Sequence, residues 1–160
     1  MRPMLQRLAG TVLAIAALAE GAARADNADA PNAFARYSDP SGVVIAVKTE
    51  FPAAGGAVRI SVYHNAEQFL ESALLKEQAT VDENGVALIS LKDLEPGDYA
   101  FAAYYDANGD GQLNRGKILG KPKEPVAFSN GVHPSMRKPR FDETKVNVAP
   151  GAVVVIVLED

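Results

Sequence analysis

The 160-residue chain has no cysteine and no tryptophan, and its only histidines are His64 and His133. Without cysteine there are no disulfides, no thiol nucleophile and no thiolate zinc site. No G-x-S-x-G elbow accompanies the serines, so a serine hydrolase has little to stand on. A histidine-based hydrolase needs His64 or His133 to meet a serine and a carboxylate in one pocket. The lack of tryptophan, with few other aromatics, argues against a sugar-stacking lectin face. The longest apolar run, residues 8–19, is too short to span a bilayer core of about 30 Å. Basic residues are outnumbered, 16 to 20, for a net charge of −4. An acidic chain suits neither nucleic acid nor an anionic membrane.

What is present begins with a targeting segment. Arg2 and Arg7 precede the apolar run, and Ala23-Arg24-Ala25 supplies small residues at a cleavage site. Residues 1–25 are read as a secretory signal, with no membrane insertion after its removal. Cleavage after Ala25 takes away three arginines and one glutamate, leaving 13 basic and 19 acidic residues, a net charge of −6. The expected location is the periplasm or outside the cell. Residues 26–40, polar and alanine-rich with Pro31 and Pro40, read as a flexible linker. Residues 41–160 form the one folded domain.

Within that domain residues 43–49 are β-branched and apolar, a strand. Gly55-Gly56 marks a turn after Pro52. Residues 57–64 alternate, with Val58, Ile60 and Val62 on one face and Arg59, Ser61 and Tyr63 on the other. Residues 65–78 place Phe69, Leu70, Ala73 and Leu74 at helical spacing behind Asn65, a cap residue, which predicts a short helix. Residues 79–82 and 86–91 flank Asn84-Gly85, a hairpin signal. Leu94, Pro96-Gly97 and Tyr99 resemble the tyrosine corner that pins Greek-key crossovers. Residues 99–105 set Tyr99, Phe101, Ala103 and Tyr105 on one face. Residues 145–148 and 152–158 are the last strands, and the unbroken apolar run of the latter reads as central and buried on both faces. Seven or so strands, one short helix and regular turns make an all-β, Greek-key sandwich of prealbumin or immunoglobulin type.

The stretch richest in chemistry is residues 106–114, DANGDGQLN. Side-chain oxygens stand at Asp106, Asn108 and Asp110, a glycine at 111 allows a sharp turn, Gln112 offers its backbone carbonyl, and Asn114 follows. This matches the first nine positions of an EF-hand-type calcium loop. The twelfth position, where a bidentate glutamate belongs, is Lys117, and the flank is a strand rather than a helix. The site would need closure from elsewhere, with Glu124 the nearest downstream carboxylate. Calcium, or another divalent cation, is thus the expected ligand, held weakly. The competing reading is a tight turn, since Asn108-Gly109 and Asp110-Gly111 are both hairpin dipeptides. Lys117, Lys121 and Lys123 form a small basic cluster that could meet an anionic glycan or phosphate. Two functions compete: a non-enzymatic calcium-binding module, or a periplasmic ligand- or glycan-binding module whose surface is residues 115–140 and whose loop is only a turn. The protein or glycan partner is not legible.

Leu94-x-Pro-Gly-x-Tyr99-Ala, then residues 106–114, Leu119-Gly-x-Pro122-x-Glu124, Phe128-Ser-Asn130 and Pro139-x-Phe141-Asp resemble, in that order, the bacterial exported domain of unknown function catalogued as DUF2141. The resemblance covers about residues 43–158. It departs at Tyr105, where the family has a histidine, and at Lys121, where it has an apolar residue. It implies a small secreted or periplasmic β domain with no established activity. By analogy the strands also look like the prealbumin-like modules of surface proteins.

Overall fold

A computed structural model describes residues 33–51, 56–116, 122–134 and 137–159. The expected signal, most of the expected linker, Pro52, Gly55, Lys117 and Lys121 lie outside the described residues. Among the described residues no helix is long and apolar enough to cross a membrane.

Among the described residues eight strands form two facing sheets, an all-β sandwich: β1 Val43–Thr49, β2 Ala57–Tyr63, β3 Leu75–Thr80, β4 Val86–Leu91, β5 Gly97–Asp106, β6 Val126–Phe128, β7 Val146–Val148 and β8 Val153–Leu158. One sheet runs β4-β1-β8, the other β3-β2-β5-β6, with β7 continuing the β6 edge along β5. The two strand alternations read from sequence meet in the core. Val58, Ile60 and Val62 from β2 and Phe101 and Ala103 from β5 pack against Val43, Ile45 and Val47 of β1. Phe101 is fully enclosed. Apolar area removed from water at about 25 cal/mol per Å² is the main stabilising term of such a face.

Four expectations need correction. Residues 79–82 and 86–91 do not pair as a hairpin across Asn84-Gly85: β3 ends at Thr80 and pairs with β2, whereas β4 pairs with β1 in the other sheet. The central strand of the small sheet is β1, which pairs antiparallel with β4 and parallel with β8. β8 is an edge strand: Val154, Ile156 and Leu158 enter the core, whereas Val153 and Val155 stay half-exposed on the other face. There they join Ala46 and Val86 beneath Phe34, so the end of the expected linker is docked on this sheet.

Residues 65–78 form no helix. They make a series of turns through 66–71, with Leu70 at φ 63°, and then β3. Asn65 does accept the Gln68 amide, at 2.9 Å, but the turn is not propagated. The ladder with β2, Val62↔Leu75 to Ala57↔Thr80, satisfies the backbone of 75–80 and sends Leu75 and Ala79 toward the core. Of the apolar residues at helical spacing, Phe69 is buried without a helix, meeting Tyr63 edge-on at 5.2 Å and Phe141 at 6.0 Å, with the partly buried Leu70 and Ala73 packed alongside, while Leu74 is exposed.

Tyr99 is buried near His64 and Phe101, but among the described residues its hydroxyl makes no hydrogen bond. It serves as a core ring rather than as a corner pin. After the 106–114 loop the chain is tied down by β6, by a 3-10 turn Ser129–Gly131 and by the short helix α1, Phe141–Thr144. The Ser129 hydroxyl bonds the Phe101 amide and the Thr144 carbonyl, stitching all three to β5. Phe128 and Phe141 complete the outer aromatic cluster.

Candidate functional site

Strand alternation decides where the loop goes. Tyr104 and Asp106 share the outer face of the large sheet with Arg59, because β2 and β5 pair Arg59↔Tyr104 and Ala57↔Asp106. Residues 107–114 therefore fold back across that face, and Asp106 ends fully enclosed beneath them. A buried carboxylate needs partners. Arg59 Nε donates to its Oδ2 at 2.6 Å, Gly111 N to the same oxygen at 2.9 Å, and Gly109 N to Oδ1 at 2.8 Å. Gly109 and Gly111 adopt φ 71° and 77°, which turn their amides inward onto it. A Cβ at Gly111 would lie in ordinary contact with the Arg59 guanidinium, 3.4 Å away, so it is the positive φ that calls for glycine there. Burial pushes the Asp106 carboxyl up; Arg59 and the two amides outweigh it and hold the group below its usual value.

The base of the loop is closed by Glu124, also buried. Its two oxygens accept the Ala107 amide at 3.3 Å and the Asn114 amide at 2.9 Å, spanning the two ends of the turn. The Asn114 carbonyl returns the tie by accepting the Lys123 amide at 2.8 Å.

The rest of the expected ligands sit together at the exposed crest. Asp110 Oδ2 accepts from Asn108 Nδ2 and Asn114 Nδ2, both at 3.0 Å. Asn114 Nδ2 also donates to the Gln112 carbonyl at 3.1 Å. Asn108 Oδ1 accepts the Asp110 amide and Asp110 Oδ1 the Gln112 amide. These bonds, the Asn114 side chain first, hold the Asp110 carboxyl below its usual value. The six residues are thus divided: Asn108, Asp110, Asn114 and the Gln112 carbonyl converge, while Asp106 and Glu124 are committed below. Among the described residues no group of three or more His, Cys, Asp or Glu is arranged to hold a metal ion.

Beside the loop the outer face is hollowed into a groove of about 1040 Å³. Small side chains at its centre, Ser61 and Ala102, make the hollow, and Tyr63, Tyr104 and Phe128 border it. Gly111 to Leu113 and Arg115 wall one end, and Leu70, Pro134 and residues 137–139 the other. The sequence expectation of a binding surface at 115–140 included neither Arg59 nor Ser61 and Ala102 of the floor. The signal for Arg59 was its place beside Ser61 and Tyr63 on the polar face of β2. His64 and His133 are both exposed, and among the described residues neither bonds a serine. Lys123 is exposed.

The ordered motif running from Leu94 through the loop to Phe141 is what a comparison with known families can judge, and a family described as an uncharacterised protein conserved in bacteria, DUF2141, matches residues 47–155. The chain belongs to the DUF2141 family. No curated protein and no solved structure matches it. The match takes in the whole Arg59–Asp106–Glu124 arrangement and every residue lining the groove of this DUF2141 domain.

Proposed function

We propose that this DUF2141 domain is an exported, non-enzymatic binding module that takes a soluble ligand of the cell envelope in its outer-face groove, with the 106–114 loop as a rigid wall. One observation carries the reading: the loop's two buried carboxylates are already satisfied from within, Asp106 by Arg59 and two amides, Glu124 by two amides. Arg59 takes the part a calcium ion would play. A guanidinium bonded to the first ligand position repels a divalent cation there. What the loop then delivers is a fixed edge to a groove of ligand size. Export is supported by the signal-like residues 1–25.

Amide chemical shifts test this. Titration with envelope glycans should move Ser61, Ala102, Tyr104 and Phe128 together; shifts confined to residues outside the groove would reject it.

A second reading has an observation of its own. Rotating the Asn114 amide by 180°, and that of Asn108 at the expense of the bond its oxygen accepts from the Asp110 amide, would set their oxygens beside Asp110 and the Gln112 carbonyl, round one exposed point. We infer a weak calcium site at this crest, in the range of roughly 10⁻⁴–10⁻³ M typical of extracellular modules. Asp110→Ala should abolish it without disturbing Asp106; retention of calcium binding by that variant would dismiss it.

A further inference from the structure

The charge of the groove runs against that of the molecule, and this points to the class of ligand. The chain is acidic overall, yet among the described residues the ionised side chains lining the groove are Arg59, Lys76, Arg115, Arg137 and Lys138 against Glu77; Arg59, Arg137 and Lys138 also meet Asp106, Glu143 and Glu71, which do not line it. Strand alternation sets Glu77 on the opposite face of β3 from Lys76 and Gln78. The cations are spread out. Arg59 and Arg115 stand at the loop end, and Lys76 on the β3 side in register with Ser61. Lys138 lies at the far end, 3.6 Å from Glu71 of the 66–71 turns, next to Arg137 on Glu143. From Arg59 to Tyr63 the floor runs four residues, about 13 Å at strand rise. A compact anion cannot reach both ends; an extended one with charges along its length can.

The floor is the face of a sheet, and this separates two extended anions. The backbone groups of β2 and β5 under the groove are spent on the β2–β3, β2–β5 and β5–β6 ladders. An acidic peptide laid there finds no main-chain partners, which strand addition requires. A glycan is read by side chains, and side chains are what the groove offers: the Ser61 hydroxyl, the Gln78 amide and the half-exposed Tyr104 ring, between basic groups at both ends.

We propose that the groove binds an extended, carboxylate-bearing polysaccharide, its acid groups meeting the basic side chains at the two ends and along the β3 side. This rests on the groove reading above and adds the ligand's charge and class.

Calorimetric titration of the purified protein with an oligogalacturonate, with its neutral methyl ester and with oligoglutamate tests it. The acid glycan is expected to bind, to weaken steeply as salt is raised, and to exceed the ester by about tenfold or more. Lys76→Glu with Lys138→Glu, both exposed, should cost about tenfold with an unchanged melting temperature. Equal binding of acid and ester, or no loss in the double variant, overturns the charge inference while leaving the groove reading intact. Tighter binding of oligoglutamate overturns the glycan in favour of a peptide. Ser61→Phe, which fills the floor, should abolish binding of every ligand; binding that survives it, or no binding by either glycan, overturns the groove reading as well.

Discussion

Asp106→Ala removes the group on which the loop is built. The wild-type carboxylate is fully enclosed and takes three donors, the Arg59 guanidinium and the amides of Gly109 and Gly111. A hydrogen bond to a charged group contributes on the order of 1.5–3 kcal/mol, and three on one carboxylate do not simply add. The Arg59 side chain is 29% exposed, so part of its attraction is screened by water. Gly109 and Gly111 are at the surface, so their freed amides are rewetted rather than orphaned. The expected loss is about 3 kcal/mol, or a fall in melting temperature of about 10 °C for a domain of this size. Urea unfolding of Asp106→Ala, Arg59→Gln and the double variant measures it. A coupling of about 1–3 kcal/mol between the two is expected. Single losses below about 0.5 kcal/mol, with no coupling, would refute the view that Arg59 and Asp106 hold the loop.

Three further outcomes follow from the same geometry. Glu124→Ala should cost about 2 kcal/mol and speed hydrogen exchange at Ala107 and Asn114, whose amides it receives; unchanged exchange there would remove its role as the loop's clasp. Asp106 and Asp110 titrate below their usual values in the folded protein, and Glu143 falls from 4.5 to about 2 through the Arg137 side chain and the Arg140 amide. Depressed carboxyls contribute stability that is fully present above the unfolded values and is lost as pH falls through the folded ones. Stability should therefore be level near neutrality and decline from about pH 4.5 toward 2; a rise in that window, read by thermal melts, would contradict the ion pairs. Phe101→Ala, at the enclosed centre of the sandwich, should cost about 3–5 kcal/mol by denaturant titration, and a loss below 1 would mean the core is not where β5 puts it.

How much of this was legible beforehand depends on the range of the interaction. β1, β2, β4 and β5 announced themselves because β-branched residues or a strict alternation fix both strand and face, as Val58, Ile60 and Val62 do. Residues 65–78 misled because Phe69, Leu70 and Ala73 satisfy a helical period and an irregular apolar cluster equally well. What chose between them was the edge of β2, a partner no local window contains. The continuous apolar run of β8 suggested burial on both faces; docking of Phe34 from far up the chain covers its second face only in part. Spacing singled out Asp106, Asn108, Asp110, Gln112 and Asn114, and Glu124 entered as the nearest downstream carboxylate, but the division between a buried base and an exposed crest was not legible. Asp106 meets Arg59 across 47 positions, and only the β2–β5 register reveals it. The groove itself was not legible, since its floor is made by what Ser61 and Ala102 lack.

The most direct test of the central claim, that an arginine rather than a metal holds the loop, is a calcium titration followed at the amides of Gly109 and Gly111 and at the Arg59 Nε–H. Below about 0.1 mM calcium all three signals should stay in place, and chelator should leave the melting temperature unchanged. Movement of those signals at micromolar calcium, with loss of the Arg59 Nε–H protection and a higher melting temperature, would contradict the account.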